Sequence, residues 1–143
     1  MNKSITIEIL VEKDIETVWK VWTSPEYIMQ WAFASDDWEC PHAENDVIVG
    51  GKCMTQMSAK DGSQSFDIHG VYTEVETNKL LAYTMEDGRK VFVTFTETEN
   101  GVHVAETFEM ESENSEELQR SGWQAIFDNF KKHTEAMYDS TNK

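Results

Sequence analysis

The stretch SEELQRSGWQAIFDNFKKHTEAMY, Ser115 to Tyr138, decides how the chain folds. Read at helical spacing, Leu118, Trp123, Ile126, Phe127, Phe130 and Met137 fall on one side. Glu116, Glu117, Arg120, Asp128, Lys131, Lys132 and Glu135 fall mostly on the other, the pattern of one amphipathic helix. Asn114 or Ser115 is placed to cap its start, and Glu117 follows Asn114 by three residues, a loose capping-box spacing. Glu113, Glu116 and Glu117 crowd the positive end of the helix dipole, while Lys131, Lys132 and His133 approach the negative end. A long helix with one broad aromatic stripe needs a large apolar surface to lie on. The strand-like segments that precede it are expected to supply that surface as a sheet.

Those segments read as an antiparallel meander. Lys52 to Ala59 is a strand, Lys60-Asp61-Gly62 a hairpin turn, and Gln64 to Val75 a long strand with Gly70 as a bulge or crowded point. Thr77-Asn78 turns into Leu80 to Met85, and Glu86-Asp87-Gly88 turns again. Lys90 to Glu97 then leads through Asn100-Gly101 into Val102 to Met110. Asp-Gly or Asn-Gly turns between alternating segments favour a meander over parallel crossovers. At the start of the chain, Ser4 to Val11 forms a strand with Ile5, Ile7, Ile9 and Val11 on one face. Asp14 caps a short helix carrying Ile15, Val18, Trp19 and Trp22, and Ser24-Pro25 restarts a second one that buries Ile28 and Trp31. The second helix has no Arg or Lys, which excludes a DNA-reading helix-turn-helix. The least regular part is Ala32 to Gly51, where Trp38 to Cys40 is a short strand expected to break at Pro41.

Composition narrows the function classes. The chain of 143 residues is read as one domain, 1–143, with 39% hydrophobic residues, enough for a core without staples. Two Cys, no leader and no long apolar run point to a cytoplasmic protein without disulfides or stable membrane insertion. Cys40 and Cys53 lack a second ligand pair, and the His residues are scattered, so no metal site is expected. A net charge of −15 repels nucleic-acid phosphates and anionic membrane surfaces, so no nucleic-acid partner is expected. No phosphate loop or nucleophile elbow occurs, and no cofactor is expected.

The order of elements, a strand, two short helices, a meander of strands and a long C-terminal helix, resembles a helix-grip (Bet v-like) α+β fold. Residue matches carry the resemblance further. Ser24-Pro25-Glu26 is followed by Gln30-Trp31, and Glu44-Asn45-Asp46 leads to Gly50-Gly51. Asp61-Gly62, Gly70-Val71-Tyr72-Thr73-Glu74-Val75, Leu80-Leu81-Ala82-Tyr83-Thr84 and Gly122-Trp123 complete the series. In order and spacing these are similar to the START-like (SRPBCC) superfamily, and within it to the branch named after activators of the 90-kDa heat-shock-protein ATPase. The family's frequent Trp-Trp-Gly-Pro reads here Trp31-Ala32-Phe33-Ala34, so the cavity mouth is expected to differ. The resemblance implies a curved antiparallel sheet gripping the last helix around a cavity that holds an apolar small molecule. Chaperone stimulation itself needs a longer architecture, for which 143 residues leave no room, and is not expected.

Strand phase then nominates the lining. Met57, Phe66, Ile68, Tyr83, Phe95 and Phe108, with Val91, Val93 and Val104, have the phase that looks toward the helix. Trp31, Phe33, Trp123 and Phe127 would close the space from the helical side. Two polar residues stand where apolar ones belong: Glu106, in phase with Val104 and Phe108, and Gln119, on the apolar face of the helix. An inward carboxylate is costly unless paired, protonated or wetted. Glu106 and Gln119, with Tyr83, are therefore nominated as the polar end of the pocket; the alternative is a strand bulge that turns Glu106 outward and a first-turn helix position that leaves Gln119 at the rim. Asp67 and His69 share the other strand face, two apart; they read as solvent-side residues of a half-exposed sheet, with an acid–base pair as the alternative. Arg89 follows a turn from which it could reach an anionic ligand group at the mouth, although an exposed turn Arg is ordinarily just solvated, and Gly122 interrupts a helix at a cost of about 1 kcal/mol, which fits close packing or a cavity entrance.

The leading expectation is non-enzymatic binding of a lipid-, sterol- or polyketide-like molecule. The alternatives are a cyclase-, aromatase- or hydrolase-like enzyme using Glu106 as proton donor or acceptor, and a chaperone-related interaction module with a protein partner or homodimer. The last needs an exposed apolar patch, for which Trp38 and Tyr138 are the candidates.

Overall fold

Strand β1 (Ser4–Val11) alternates as its sequence does, burying Ile5, Ile7, Ile9 and Val11 and exposing the residues between them. In the computed structural model, which describes residues 3–137, helices α1 (Ile15–Thr23) and α2 (Pro25–Trp31) follow it. Ser24 ends the first helix and caps the second, and Pro25 occupies the first turn, where its missing N–H is no loss. Six strands come next: β2 (Trp38–Asn45), β3 (Lys52–Ala59), β4 (Ser65–Glu76), β5 (Leu80–Met85), β6 (Lys90–Thr98) and β7 (Gly101–Glu109). Helix α3 (Glu116–Ala136) completes the order, capped by the Ser115 hydroxyl, which accepts from the Leu118 N–H at 3.1 Å. All pairings are antiparallel, in the order β1-β7-β6-β5-β4-β3-β2, and the curled sheet holds α3 in a helix-grip fold.

The register follows the turns. Gly62 and Gly88 take φ of +81° and +93°, as tight Asp-Gly hairpins require. Pro41 does not break β2, contrary to expectation. The strand continues through it, with a bulge between Glu39 and His42 on the sheet's edge, where a missing N–H leaves no ladder bond unmade. Gly70 is the crowded point and not a bulge. A Cβ there would lie 2.9 Å from Tyr83 Cδ2 and 3.1 Å from Cys53 Sγ, while the irregularity falls between Tyr72 and Glu74.

The opposite edge is covered by α3. Arg120 Nη1 donates to the Thr6 carbonyl at 3.2 Å, Lys131 Nζ to that of Leu10 at 2.6 Å, and the Glu12 N–H donates to Glu135 Oε2 at 2.8 Å. The first two bonds occupy edge carbonyls of β1 that would otherwise offer themselves to another strand, and the third ties down the residue that follows it. Between helix and sheet the aromatic core is dense near α1. Trp22 stacks on Trp31 with centroids 5.1 Å apart, and Phe130 meets both rings edge-on at 4.9 Å.

Candidate functional site

Farther along α3 the packing opens. Alternate residues of β3, β4, β5 and β7 turn Met57, Ile68, Tyr83 and Glu106 toward the helix, and α3 faces them with Trp123, Ile126 and Phe127. Between the two layers lies a cavity of about 830 Å³, within the ~300–1,000 Å³ of small-molecule sites. Trp31 and Phe33 wall one side. Phe66, 48% exposed, stands at the mouth edge-on to Trp38, their centroids 5.8 Å apart.

Six nominated residues do not reach this space: Val91, Val93 and Val104, which are buried in the core, and Phe95, Phe108 and Gln119. Phe95 lies between Trp19 and Trp22, at centroid distances of 5.3 and 6.0 Å, because α1 covers its end of β6. Phe108 is fully covered by Trp123, which stacks on it at 4.0 Å with planes 7° apart, so the indole forms the wall. Gln119 is buried but belongs to the β7–α3 loop. Its Nε2 donates to the carbonyls of Glu111 and Asn114 at 3.1 and 2.8 Å, and its Oε1 accepts from the Glu111 N–H at 3.0 Å. The helix's first turn puts Gln119 under that loop, whose backbone groups need partners, so it does not join Glu106 at the cavity's polar end.

Glu106 carries the electrostatic interest. Its neighbours in register are Ile7 on β1 and Val93 on β6, and it is only 5% exposed. Among the described residues no group hydrogen-bonds its carboxyl. Burial alone pushes its pKa up to about 8, so the acid keeps its proton at neutral pH. Tyr83, on the same cavity, has its pKa raised well above the ordinary value, first by burial and then by the nearby Glu106 charge, while Arg89 acts in the opposite sense. Arg89 also lines the cavity. Its side chain is 18% exposed, and its Nε donates to Asp87 Oδ2 at 2.7 Å. Asp87 Oδ1 accepts from the Arg89 backbone N–H at 3.1 Å, closing the turn that aims the side chain.

On β4 and β2, the Tyr72 hydroxyl donates to Asn45 Oδ1 at 2.6 Å and Asn45 Nδ2 donates to the Thr23 carbonyl at 2.7 Å, tying the sheet to α1. Burial lifts the Cys53 thiol to about 11, leaving little thiolate for chemistry. Asp67 and His69, expected on the solvent side, pair at 3.9 Å, both about half exposed, and both contribute to the cavity's lining. No group of three or more His, Cys, Asp or Glu suited to a metal occurs among the described residues, and no helix there is long and apolar enough to cross a membrane. Tyr138, one of the two patch candidates, lies outside the described residues. Trp22 and Met85 also line the cavity. Trp22 shares the helical period of Val18 and Trp19, so spacing alone assigns it to the core of α1.

Residues 13–135 match the model of the family described as activator of Hsp90 ATPase homolog 1-like protein. The chain belongs to this family. A solved AHSA1-like protein from Aeromonas hydrophila is 42% identical over 94% of this chain and 93% of its own, with a TM-score of 0.89. A protein from Cytophaga hutchinsonii is 48% identical over 96% of this chain and 98% of its own, at a TM-score of 0.80. A Chromobacterium violaceum protein keeps the fold, at a TM-score of 0.84, with 18% identity over 94% of this chain and 99% of its own. No curated protein matches. Family and fold together place the chain in the START-like (SRPBCC) group, as its motif order implies.

Proposed function

We propose that this family member binds an apolar small molecule, lipid-, sterol- or polyketide-like, between the sheet and α3, acting as a single START-like domain in the cytoplasm. The cavity of about 830 Å³ carries this reading. Apolar walls facing a void lose packing contacts, and a molecule that fills the void restores them. The protonated acid of Glu106 and the Tyr83 hydroxyl give the bound molecule a polar end to register on. Native mass spectrometry of protein from its own host, with denaturing extraction, tests the reading. A stoichiometric apolar molecule is expected. A clean unliganded mass, with no thermal shift across a lipid and polyketide panel, would overturn it.

The same acid favours a second reading. A carboxylic acid with a pKa near 8 can donate a proton at neutral pH and take it back, as general acid–base chemistry on a cavity-held substrate requires. Glu106→Gln separates the two: retained binding with lost turnover identifies an enzyme, and binding without turnover in either protein leaves a carrier.

A further inference from the structure

The cavity's polar end has a direction that apolar binding alone does not explain. Arg89 is the one Lys or Arg among the lining residues, in a chain with 12 such residues against 27 Asp and Glu. A surface guanidinium serves solubility, yet this one is largely covered and lies along an apolar wall. Asp87 holds it through Nε and the adjoining backbone N–H, and among the described residues Nη1 and Nη2 have no hydrogen-bond partner. A guanidinium fixed on its Nε side presents its two terminal nitrogens as a fork, a shape that fits the two oxygens of a carboxylate. Glu106, while protonated, and Tyr83 add two O–H donors on the same cavity. The other charged side chains at the mouth, Asp67, Glu86 and the engaged Asp87, are exposed acids that water solvates.

We infer that Arg89 selects ligands ending in a carboxylate, holding that group near the mouth while the apolar body lies against Trp123 and Phe127. The inference rests on the binding reading above and adds to it the charge of the ligand. A neutral ketone or ester would accept from Tyr83 and Glu106 without needing the guanidinium. A cation would be repelled by it.

The test is titration of the full chain at neutral pH with two matched pairs, dodecanoic acid against dodecanol and pyrenebutyric acid against pyrenebutanol. Tryptophan quenching reports on Trp22, Trp31 and Trp123, which line the cavity, and calorimetry gives the affinity. At least one acid is expected to bind about tenfold tighter than its alcohol, the worth of a well-placed charge-assisted pair. Arg89→Gln should abolish that preference while leaving the alcohol's affinity within about twofold, since the apolar contacts persist. Arg89→Lys keeps the charge but loses the fork, so it guards against a Gln variant that fails to fold; the preference must fall there too. Equal binding of acid and alcohol, or a preference that survives both substitutions, overturns the Arg89 assignment and leaves the binding reading standing. If no probe binds, the Arg89 assignment falls, and the binding reading is decided by the mass of the protein from its own host.

Discussion

The two ends of α3 lie over the same sheet and meet it in opposite ways. Toward its C-terminus Phe130 is fully buried, 4.9 Å from both Trp22 and Trp31, and the Thr134 hydroxyl behind it returns to the Phe130 carbonyl at 2.7 Å. Toward its N-terminus the helix presents Gly122, which has nothing within 4 Å of where a Cβ would stand, and the sheet answers with Glu106 in a row otherwise filled by Val102, Val104 and Phe108. One end is closed by aromatic rings in mutual contact. The other is held open by the two residues that a stability-optimised sequence would replace first. The void is therefore a built feature, and its cost should be measurable.

The largest effect is expected at Glu106. Burial holds its folded-state pKa at about 8, above the ordinary 4.5 that the unfolded chain shows. Its contribution to stability is fully present below about pH 4.5, falls as the pH rises toward 8, and is level beyond, because only the folded state retains the proton in that window. At roughly 1.4 kcal/mol per pH interval, the ceiling on that loss is about 5 kcal/mol. Glu106→Gln should erase the slope, so its stability relative to the parent rises from about pH 5 to about pH 8 in denaturant titrations. A constant difference would mean that the hollow end is wet enough to solvate the charge, and the contrast with the packed end would weaken.

Paired truncations sharpen the comparison directly. Phe130→Ala should cost about 3–5 kcal/mol, since the surrounding rings cannot collapse onto the hole. Ile126→Ala, one turn earlier on the cavity wall, should cost only about 1–2 kcal/mol, because it enlarges a space that already exists. Urea midpoints at unchanged slope would check both. Equal costs would show that the cavity end is as well packed in solution as the other.

Much of this contrast was legible in the sequence, and the parts that were not have physical reasons. Two-residue alternation assigned Met57, Phe66, Ile68, Tyr83 and Glu106 to the inner face, where the structure has them. It could not tell Phe95 and Phe108 from cavity residues, because strand phase gives the face and not what lies over it: Trp22 and Trp123 cover those two rings. Periodicity puts Gln119 on the apolar face of the helix and leaves pocket or rim open, because its partners are backbone groups of an irregular loop, which no periodicity marks. Pro41 reads as a strand end in the sequence, yet an edge position with a bulge accommodates it, and edge or centre is a property of the whole sheet. Arg89 could be placed at a turn but not along a wall, since the Asp87 bond that aims it is a matter of side-chain geometry.

A smaller effect is expected where the sheet floor supports the cavity. In Gly70→Ala the new methyl would meet Tyr83 Cδ2 at 2.9 Å, closer than packed atoms accept, and Cys53 Sγ at a tight 3.1 Å. The Tyr83 ring must shift, at a cost of about 1–3 kcal/mol typical of overpacking. Because that ring lines the cavity, ligand affinity should fall together with stability, whereas Phe130→Ala should lower stability with little change in the affinity of the folded protein. Measuring both quantities in both variants distinguishes damage to the site from damage to the fold.

The smallest effect is the most specific. Gly122 sits inside α3, where glycine costs about 1 kcal/mol relative to alanine through the freedom it loses on folding. Helical glycines are commonly explained by a neighbour pressed against the backbone, and here no such neighbour exists. Gly122→Ala should therefore raise stability by about 1 kcal/mol without strain, and a thermal melt of the unliganded protein would register it. Loss of stability would reveal a close contact and remove Gly122 from the set of residues that keep the end open. Gly122→Leu carries the comparison to its limit. The longer side chain gains helix propensity and enters the cavity, so stability should rise while binding of any probe that occupies the void falls. Opposite signs in one variant are what a hollow maintained at the expense of stability predicts, and a space of no functional use would show the first change without the second.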